Sequence, residues 1–289
     1  MKPLMLLRKM FLGGVWYVGL RRIGNTPTRY VQVKTPKGQW IADPFLYETA
    51  GRTYLFVEQY FTEKQRAGIG VYEIINGEAV NNRIIIDNPY HMSYPCVFNC
   101  NGKHYMIPES SANNTIDLYE ASHFPYEWKR VKSLISGEKY VDSTVYKHGD
   151  KYYLISYKKD TKGWHLVLFL LDMDKFVLNQ VSEKIYDNNV GRPAGFLYMD
   201  KDLLIRPAQD CSRKYGESII LYKVKELGKS GYSEEKFSII DAQHSLFERN
   251  IDRVHTYNKT NEYEVIDVFK ERIDLMHGIK IFRRAYLKH

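Results

Sequence analysis

One strand–turn–strand pattern recurs along this chain, and it constrains the fold more than any other feature. WIADPFLYETAGRTYLFVEQ, from Trp40 to Gln59, is a short apolar run opened by Ala-Asp-Pro, a small-residue turn at Thr49-Ala50-Gly51, and a second apolar run reaching Glu58. SYPCVFNCNGKHYMIPES (Ser93 to Ser110) and VDSTVYKHGDKYYLISYK (Val141 to Lys158) align with it without a gap. Asp43, Tyr94 and Asp142 then share one position, and Glu58, Glu109 and Tyr157 share another fifteen residues later. Two looser copies follow, Gly191 to Asp210 and Val254 to Phe269, making five copies at intervals of roughly fifty residues. A repeat of this period means units that each bury an apolar face against the next.

Each copy runs on into further strand-like segments: Ile69–Ile74 and Asn82–Ile86, then Thr115–Glu120 and Trp128–Ile135, His165–Leu171 and Phe176–Val181, Ser218–Val224 and Lys236–Ile240. Four short strands per unit, repeated radially, are propeller blades. The expected fold is therefore all-β: a single five-bladed β-propeller domain over residues 1–289, with blades starting near 41, 92, 140, 191 and 252. The fifth copy supplies three strands, Arg253–Tyr257, Tyr263–Phe269 and Gly278–Arg283. A lone strand near Trp16, after an arm at residues 1–13, is expected to supply the fourth and close the ring, removing an exposed sheet edge.

Composition narrows the class. Aromatics make up 14% of the 289 residues, with 24 tyrosines, which favours strands and sugar-stacking surfaces over a helical bundle. The net charge of +8 comes from scattered Lys and Arg, not from a run, so a nucleic-acid partner is not expected. Cys96, Cys100 and Cys211 are odd in number and lack paired or CxxC spacing, which points to reduced thiols and to no metal site. The apolar stretch Met10 to Leu20 is too short to span a bilayer, so a cytoplasmic protein is expected. Lys2, Arg8, Lys9, Arg21 and Arg22 around that stretch suit contact with an inner membrane face.

The first strand of a blade lines the central channel, so residues at its start converge on one mouth. Asp43, Tyr94 and Asp142 occupy that position, with Arg192 or Ala194 and Arg253 to His255 in the looser copies. The second strands end in Glu58, Glu109, Tyr157, Arg206 and Asp267. Several carboxylates at one mouth suit glycosidic-bond chemistry, which needs one neutral acid for the leaving oxygen and one ionised group for water or the sugar. The alternative is that these acids cap strand-start turns by accepting backbone N–H bonds. Arg192, Arg206, Gln209, Asp210 and Arg213 surround a strand end in the fourth copy, where arginines either grip an anionic ligand group or hold the acids ionised. His255 is the best placed histidine, ahead of His91 and His244, while Tyr94, Trp40 and Tyr60 offer pyranose-stacking faces or inter-blade packing.

WIADPFLYE–GRTYLFVEQY, SYPCVF–YMIPESS, YVDSTVY and RPAQDCSRKYG together resemble the glycosyl-hydrolase-family-43-like domain at the N-terminus of plant glucosamine inositolphosphorylceramide transferases and in bacterial polysaccharide-related proteins. The resemblance implies a five-bladed propeller related to furanosidases, xylosidases and fructosidases, with the general base at the Asp of the first-blade Asp-Pro, here Asp43. Hydrolases of that kind carry an Asp in the second blade, where this chain has Tyr94, and a Glu in the third, where it has Asp142. The resulting expectation is a carbohydrate-active enzyme of polysaccharide or glycolipid biosynthesis without a cofactor. Asp43 is its base, Glu109 its acid and Asp142 a tuning residue; Glu58, Tyr94, Arg192, Arg206, Gln209, Asp210, His255 and Trp40 bind substrate. A glycosidase, a transferase using a phosphorylated or nucleotide-activated sugar, and a non-catalytic glycan-binding propeller are the three forms this takes.

Overall fold

In each repeat the burial pattern grades from a first strand with apolar residues on both faces to a last strand that is mostly polar. In the first repeat, β3 (Gln39–Thr49) and β4 (Arg52–Phe61) each bury six consecutive residues, whereas β6 (Glu78–Ile86) buries only Ile86. Strands covered on both faces read as continuous hydrophobic runs, so this gradient puts the first strands at the centre and the last at the rim. The computed structural model describes residues 12–24, 28–244, 247–248 and 250–273; residues 1–11 of the expected arm and the expected strand at 278–283 lie outside them.

Five antiparallel sheets result. β1 (Leu12–Arg22) and β2 (Val31–Gln32) precede the first repeat, whose sheet is β3, β4, β5 (Arg66–Ile75) and β6 in order. The second blade is β7 (Ser93–Cys100), β8 (Lys103–Ser110), β9 (Thr115–His123) and β10 (Glu127–Ser136). The third is β11 (Val141–His148), β12 (Lys151–Asp160), β13 (Gly163–Asp172) and β14 (Val177–Tyr186). In the fourth blade the inner strand is split into β15 (Arg192–Pro193) and β16 (Tyr198–Asp200), both paired with β17 (Leu203–Asp210), followed by β18 (Ser218–Gly228) and β19 (Gly231–Asp241). Hairpin turns carry positive φ at paired positions, as at Asn101 (51°) and Gly102 (79°), the geometry that matches strand twist.

The fifth blade runs β20 (Arg253–Lys259), β21 (Tyr263–Ile273), β1, β2. β1 pairs with β21 along its whole length, from Leu12↔Ile273 to Arg22↔Tyr263, so the N-terminal strand does join the last blade and close the ring. It takes the third place in that sheet, and the two residues of β2 take the fourth through Gly19↔Gln32 and Leu20↔Val31. Blades cohere through shared apolar layers: Phe45, Phe56 and Val71 of the first pack in one cluster with Met92, Cys96, Ile107 and Leu118 of the second. Those layers fix the inner strands about a common axis, and the starts of those strands form the site.

Candidate active site at the propeller mouth

The inner strands of the first three blades break their ladders at the same place. Register slips between Ala42 and Phe45, between Ser93 and Cys96, and between Val141 and Thr144. The bulged residues Asp43, Tyr94 and Asp142 have φ of 45°, 49° and 50°, a left-handed conformation costly for side chains other than Gly, Asn and Asp. A fourth slip, between Val254 and Tyr257, puts His255 and Thr256 in the fifth-blade bulge. Bulges re-aim side chains and leave an amide out of the ladder. In the first three blades the freed amide is claimed by a carboxylate from the preceding blade. Asp43 N donates to Asp267 Oδ2 (2.8 Å), Tyr94 N to Asp43 Oδ2 (3.2 Å) and Asp142 N to Glu109 Oε2 (3.3 Å).

Asp43, 4% exposed, also accepts from Thr256 Oγ1 at 2.7 Å. His255 lies between two acids, with Nε2 3.6 Å from Asp43 Oδ1 and Nδ1 2.6 Å from Asp267 Oδ2, a close charge contact whose angle falls short of a hydrogen bond. Its ring stacks on Trp16 at 4.0 Å. Burial works against the imidazolium, but Asp267 and then Asp43 outweigh it and raise His255 to about 9. Burial pushes the Asp43 carboxyl up, the charge of His255 pulls it down, and Glu58, Asp142 and Asp267 add repulsion. Asp267 is fully buried and also accepts the His255 and Thr256 amides (3.2 and 2.8 Å), so it clamps the fifth-blade bulge.

Asp142, 1% exposed, accepts from Gln209 Nε2 (2.7 Å) and from both Nε and Nη2 of Arg192. Arg192 Nη2 reaches Glu109 Oε2 as well, at 3.4 Å, so one guanidinium ties two acids together. Burial pushes Asp142 up to about 7 against the pull of Arg192, with Glu109 adding repulsion. Glu109 Oε1 accepts from Ser111 Oγ at 2.7 Å. Glu58 faces His91 Nε2 at 3.3 Å, and His91 Nδ1 accepts the Ala67 amide (3.2 Å), which fixes Nε2 as the protonated nitrogen. Trp40 stacks on Tyr60 at 4.5 Å, and Tyr60 tilts toward His91, forming an aromatic wall beside Glu58.

Three expected ligand contacts are corrected. The Tyr94 ring is fully buried: its hydroxyl accepts the Gly195 amide (2.6 Å) and bonds Thr144 Oγ1 (2.8 Å), so it joins the second blade to the third and fourth and shows no face to a ligand. Arg206 is buried with Glu234 (2.8 Å), Tyr232 Oη (2.9 Å) and Gly191 O (3.0 Å), which leaves no donor for an anion. Gln209 is buried and spends its amide on Asp142 and Pro193 O, positioning the acid. Asp210 accepts from Ser212 N and Oγ, closing its own turn. Of the other residues weighed, Arg213 is exposed and pairs with Glu217, and His244 packs on Phe247 at 5.2 Å.

Tyr215 and Asp267 carry more of the site than the sequence indicated. Tyr215, 43% exposed, sits edge-on to Trp16 and His255 (6.1 and 5.2 Å) and under the Arg192 guanidinium (5.5 Å). It offers partly exposed aromatic surface beside Arg192 and His255. Its loop turns at Gly216 (φ 65°), where a Cβ would come within 2.9 Å of Trp16 and 3.0 Å of His255. Asp267→Asn is expected to lose about 1–3 kcal/mol in urea unfolding, because a neutral amide replaces a charged clamp. His255 has a folded pKa above its unfolded one, so its contribution is full below about pH 6.5 and fades as pH rises through about 9. The loss should therefore be larger at about pH 6 than at about pH 10; an equal loss at both would detach His255 from Asp267.

Comparison with solved structures places the architecture. The chain superposes on Zg3597, a family 117 glycoside hydrolase of Zobellia galactanivorans, with a TM-score of 0.56 and 11% identity over 90% of this chain and 92% of that one. The catalytic domain of the Coprinopsis cinerea GH62 α-L-arabinofuranosidase gives 0.59 and 13% over 86% and 97%. At such identity the likeness is one of fold. In sequence, the chain is 33% identical over 209 residues to glucosamine inositolphosphorylceramide transferase 1 of Arabidopsis thaliana and 30% over 207 to that of Oryza sativa subsp. japonica. Each match covers 68% of this chain but 27% of the relative, so the chain spans about a quarter of those proteins. The family described as glucosamine inositolphosphorylceramide transferase 1, N-terminal, matches residues 27–268. Across the repeats that build the ring and its mouth, the chain belongs to that family.

Proposed function

We propose that the mouth binds a sugar of a glycan or glycolipid and carries acid–base chemistry at its glycosidic bond. The supporting observation is the convergence of Asp43, Glu109 and Asp142 from three blades, the last two tied by Arg192, with aromatic side chains nearby. Asp43 is the base: Tyr94 N and Thr256 Oγ1 donate to it, and His255 sets its charge against the burial that raises the carboxyl to about 7, a value suited to taking a proton near neutral pH. Glu109 is the acid: its Oε2 is held by Asp142 N and Arg192, while Oε1 is held only by the Ser111 hydroxyl among the described residues and is the oxygen left for a ligand. Asp142, gripped at both oxygens by Arg192, tunes the others by charge.

The charge balance favours an uncharged or amino sugar over a diphosphate. Arg192 is already committed to Asp142 and Glu109, and Arg206 is sealed against Glu234, so neither is free for a nucleotide leaving group. The relatives are named for glucosamine and inositolphosphorylceramide, which fits a sugar ligand of this kind. Calorimetric titration with neutral and amino monosaccharides, inositol glycosides and nucleotide sugars tests the reading. Binding should follow the sugar and weaken by about 3- to 10-fold in Tyr215→Ala through lost ring stacking. Affinity that depends on the diphosphate, or no saccharide binding at millimolar concentration, contradicts it.

A further inference from the structure

A second cleft lies away from the mouth, between the first and second blades. It has a volume of about 550 Å³ and is lined by Ile85 to Asn88, Tyr90, Tyr119 and the β10 residues Trp128, Lys129 and Arg130. At its inner end the connection from β6 to β7 carries Asn88 and Tyr90 toward the cleft and His91 to Glu58 at the mouth.

Its polar groups are ordered from below. Asp117 is fully buried and accepts from Ser133 Oγ (2.6 Å), Thr115 Oγ1 (3.1 Å) and Tyr90 Oη (3.4 Å). Its only charge partner among the described residues is Arg130, whose Nη1 is 3.7 Å away while half of the side chain stays exposed. The Arg130 guanidinium is thus anchored at one nitrogen and open at the rest. Lys129, between Trp128 and Arg130 on β10 and opposite Glu120, sends its side chain from the other face of the sheet. Asn88 Nδ2 lies within reach of Tyr119 Oη (2.9 Å), Tyr90 Oη (3.0 Å) and Met92 Sδ (3.1 Å), which holds the connection in place. Asp87, at the rim, is neutralised by Lys64 and Arg66. Around the cleft, Lys64, Arg66 and Arg130 therefore answer Asp87 and Asp117, a positive balance opposite in sign to the acid-rich mouth.

We infer that this cleft is a second binding site, for a saccharide bearing a carboxylate or phosphate group. The partly exposed Tyr90 and Trp128 supply the sugar surface, and Arg130 takes the anion bidentately through the nitrogens not turned to Asp117. The inference does not rest on chemistry at the mouth and survives if that reading fails.

The test titrates the full chain with a uronate-containing disaccharide, a sugar phosphate, an uncharged disaccharide and inorganic phosphate, following the Trp128 indole N–H resonance and binding heat. Both anionic sugars, or one of them, should bind at least about tenfold tighter than the uncharged disaccharide, weaken as salt is raised, and shift the Trp128 signal. The Arg130→Gln variant should lose that preference, whereas Lys129→Gln and Asp43→Asn should keep it; a matching thermal unfolding midpoint establishes that the Arg130→Gln variant is folded. Whichever anion binds identifies the ligand as a uronate or a phosphosugar. Equal binding of charged and uncharged sugars, inorganic phosphate binding as tightly as either sugar anion, an unaffected Arg130→Gln variant, or no binding at millimolar concentration overturns the inference.

Discussion

Replacing Arg192 with Met should destabilise the protein by about 3–5 kcal/mol near pH 8 and by clearly less near pH 5. Arg192 holds Asp142 at both oxygens and reaches Glu109, and Asp142 has almost no access to water. Removing the guanidinium strands a buried carboxylate, the case in which breaking an ion pair costs most. The pH dependence has a definite sign. Burial already raises Asp142 to about 7, above its unfolded value, so its contribution is full below the unfolded pKa and is lost as pH rises through the folded one. Without Arg192 the folded pKa climbs further, so the two proteins lose stability in parallel up to about pH 7 and the gap opens above it, leaving it larger near pH 8 than near pH 5. Urea unfolding at the two pH values measures this. A small, pH-independent change would mean that Asp142 and Arg192 do not act as a pair.

Asp43→Asn should abolish most turnover, by about 10³-fold, while leaving sugar binding largely in place. The substitution preserves shape and can still accept the Tyr94 amide and the Thr256 hydroxyl at its oxygen. What it removes is the charge set against His255 and the ability to take a proton. The prediction separates the two roles carboxylates have at this mouth. A purely structural Asp43, serving only to accept the Tyr94 amide, would be replaced by Asn with a change in stability and none in rate.

Both predictions depend on a ring that was readable in the chain because its repeats keep apolar positions in register and place hairpin turns at equal intervals. Ring closure was readable too, since an unpaired strand near Trp16 and an incomplete last unit imply each other. Its place in the sheet was not: Val31–Gln32 is too short to announce itself as a strand, yet it takes the rim and leaves β1 third. At the mouth, the alignment of Asp43, Tyr94 and Asp142 found the bulge position, because a shared residue offset means a shared backbone location. Side-chain destination was not legible. Tyr94 occupies the same bulge as two acids, but its length carries the hydroxyl across the channel to Gly195. Arg206 sits on a strand near the mouth, but its partners Glu234 and Tyr186 come from outer strands whose lateral packing no single-repeat pattern encodes. Asp267 was visible as a strand-end acid, though its grip on three amides required knowing which blades adjoin across the ring closure. Tyr215 lies in a loop outside the repeat, where nothing periodic marks it.

The most direct measurement is product formation by the wild type and Asp43→Asn side by side, across aryl glycosides and activated sugars, with saccharide affinity measured on both proteins. The account predicts turnover by the wild type, a loss of about 10³-fold in the variant, and affinities within a few-fold of each other. Saccharide binding by both proteins with turnover by neither, or equal turnover by the two, would contradict it.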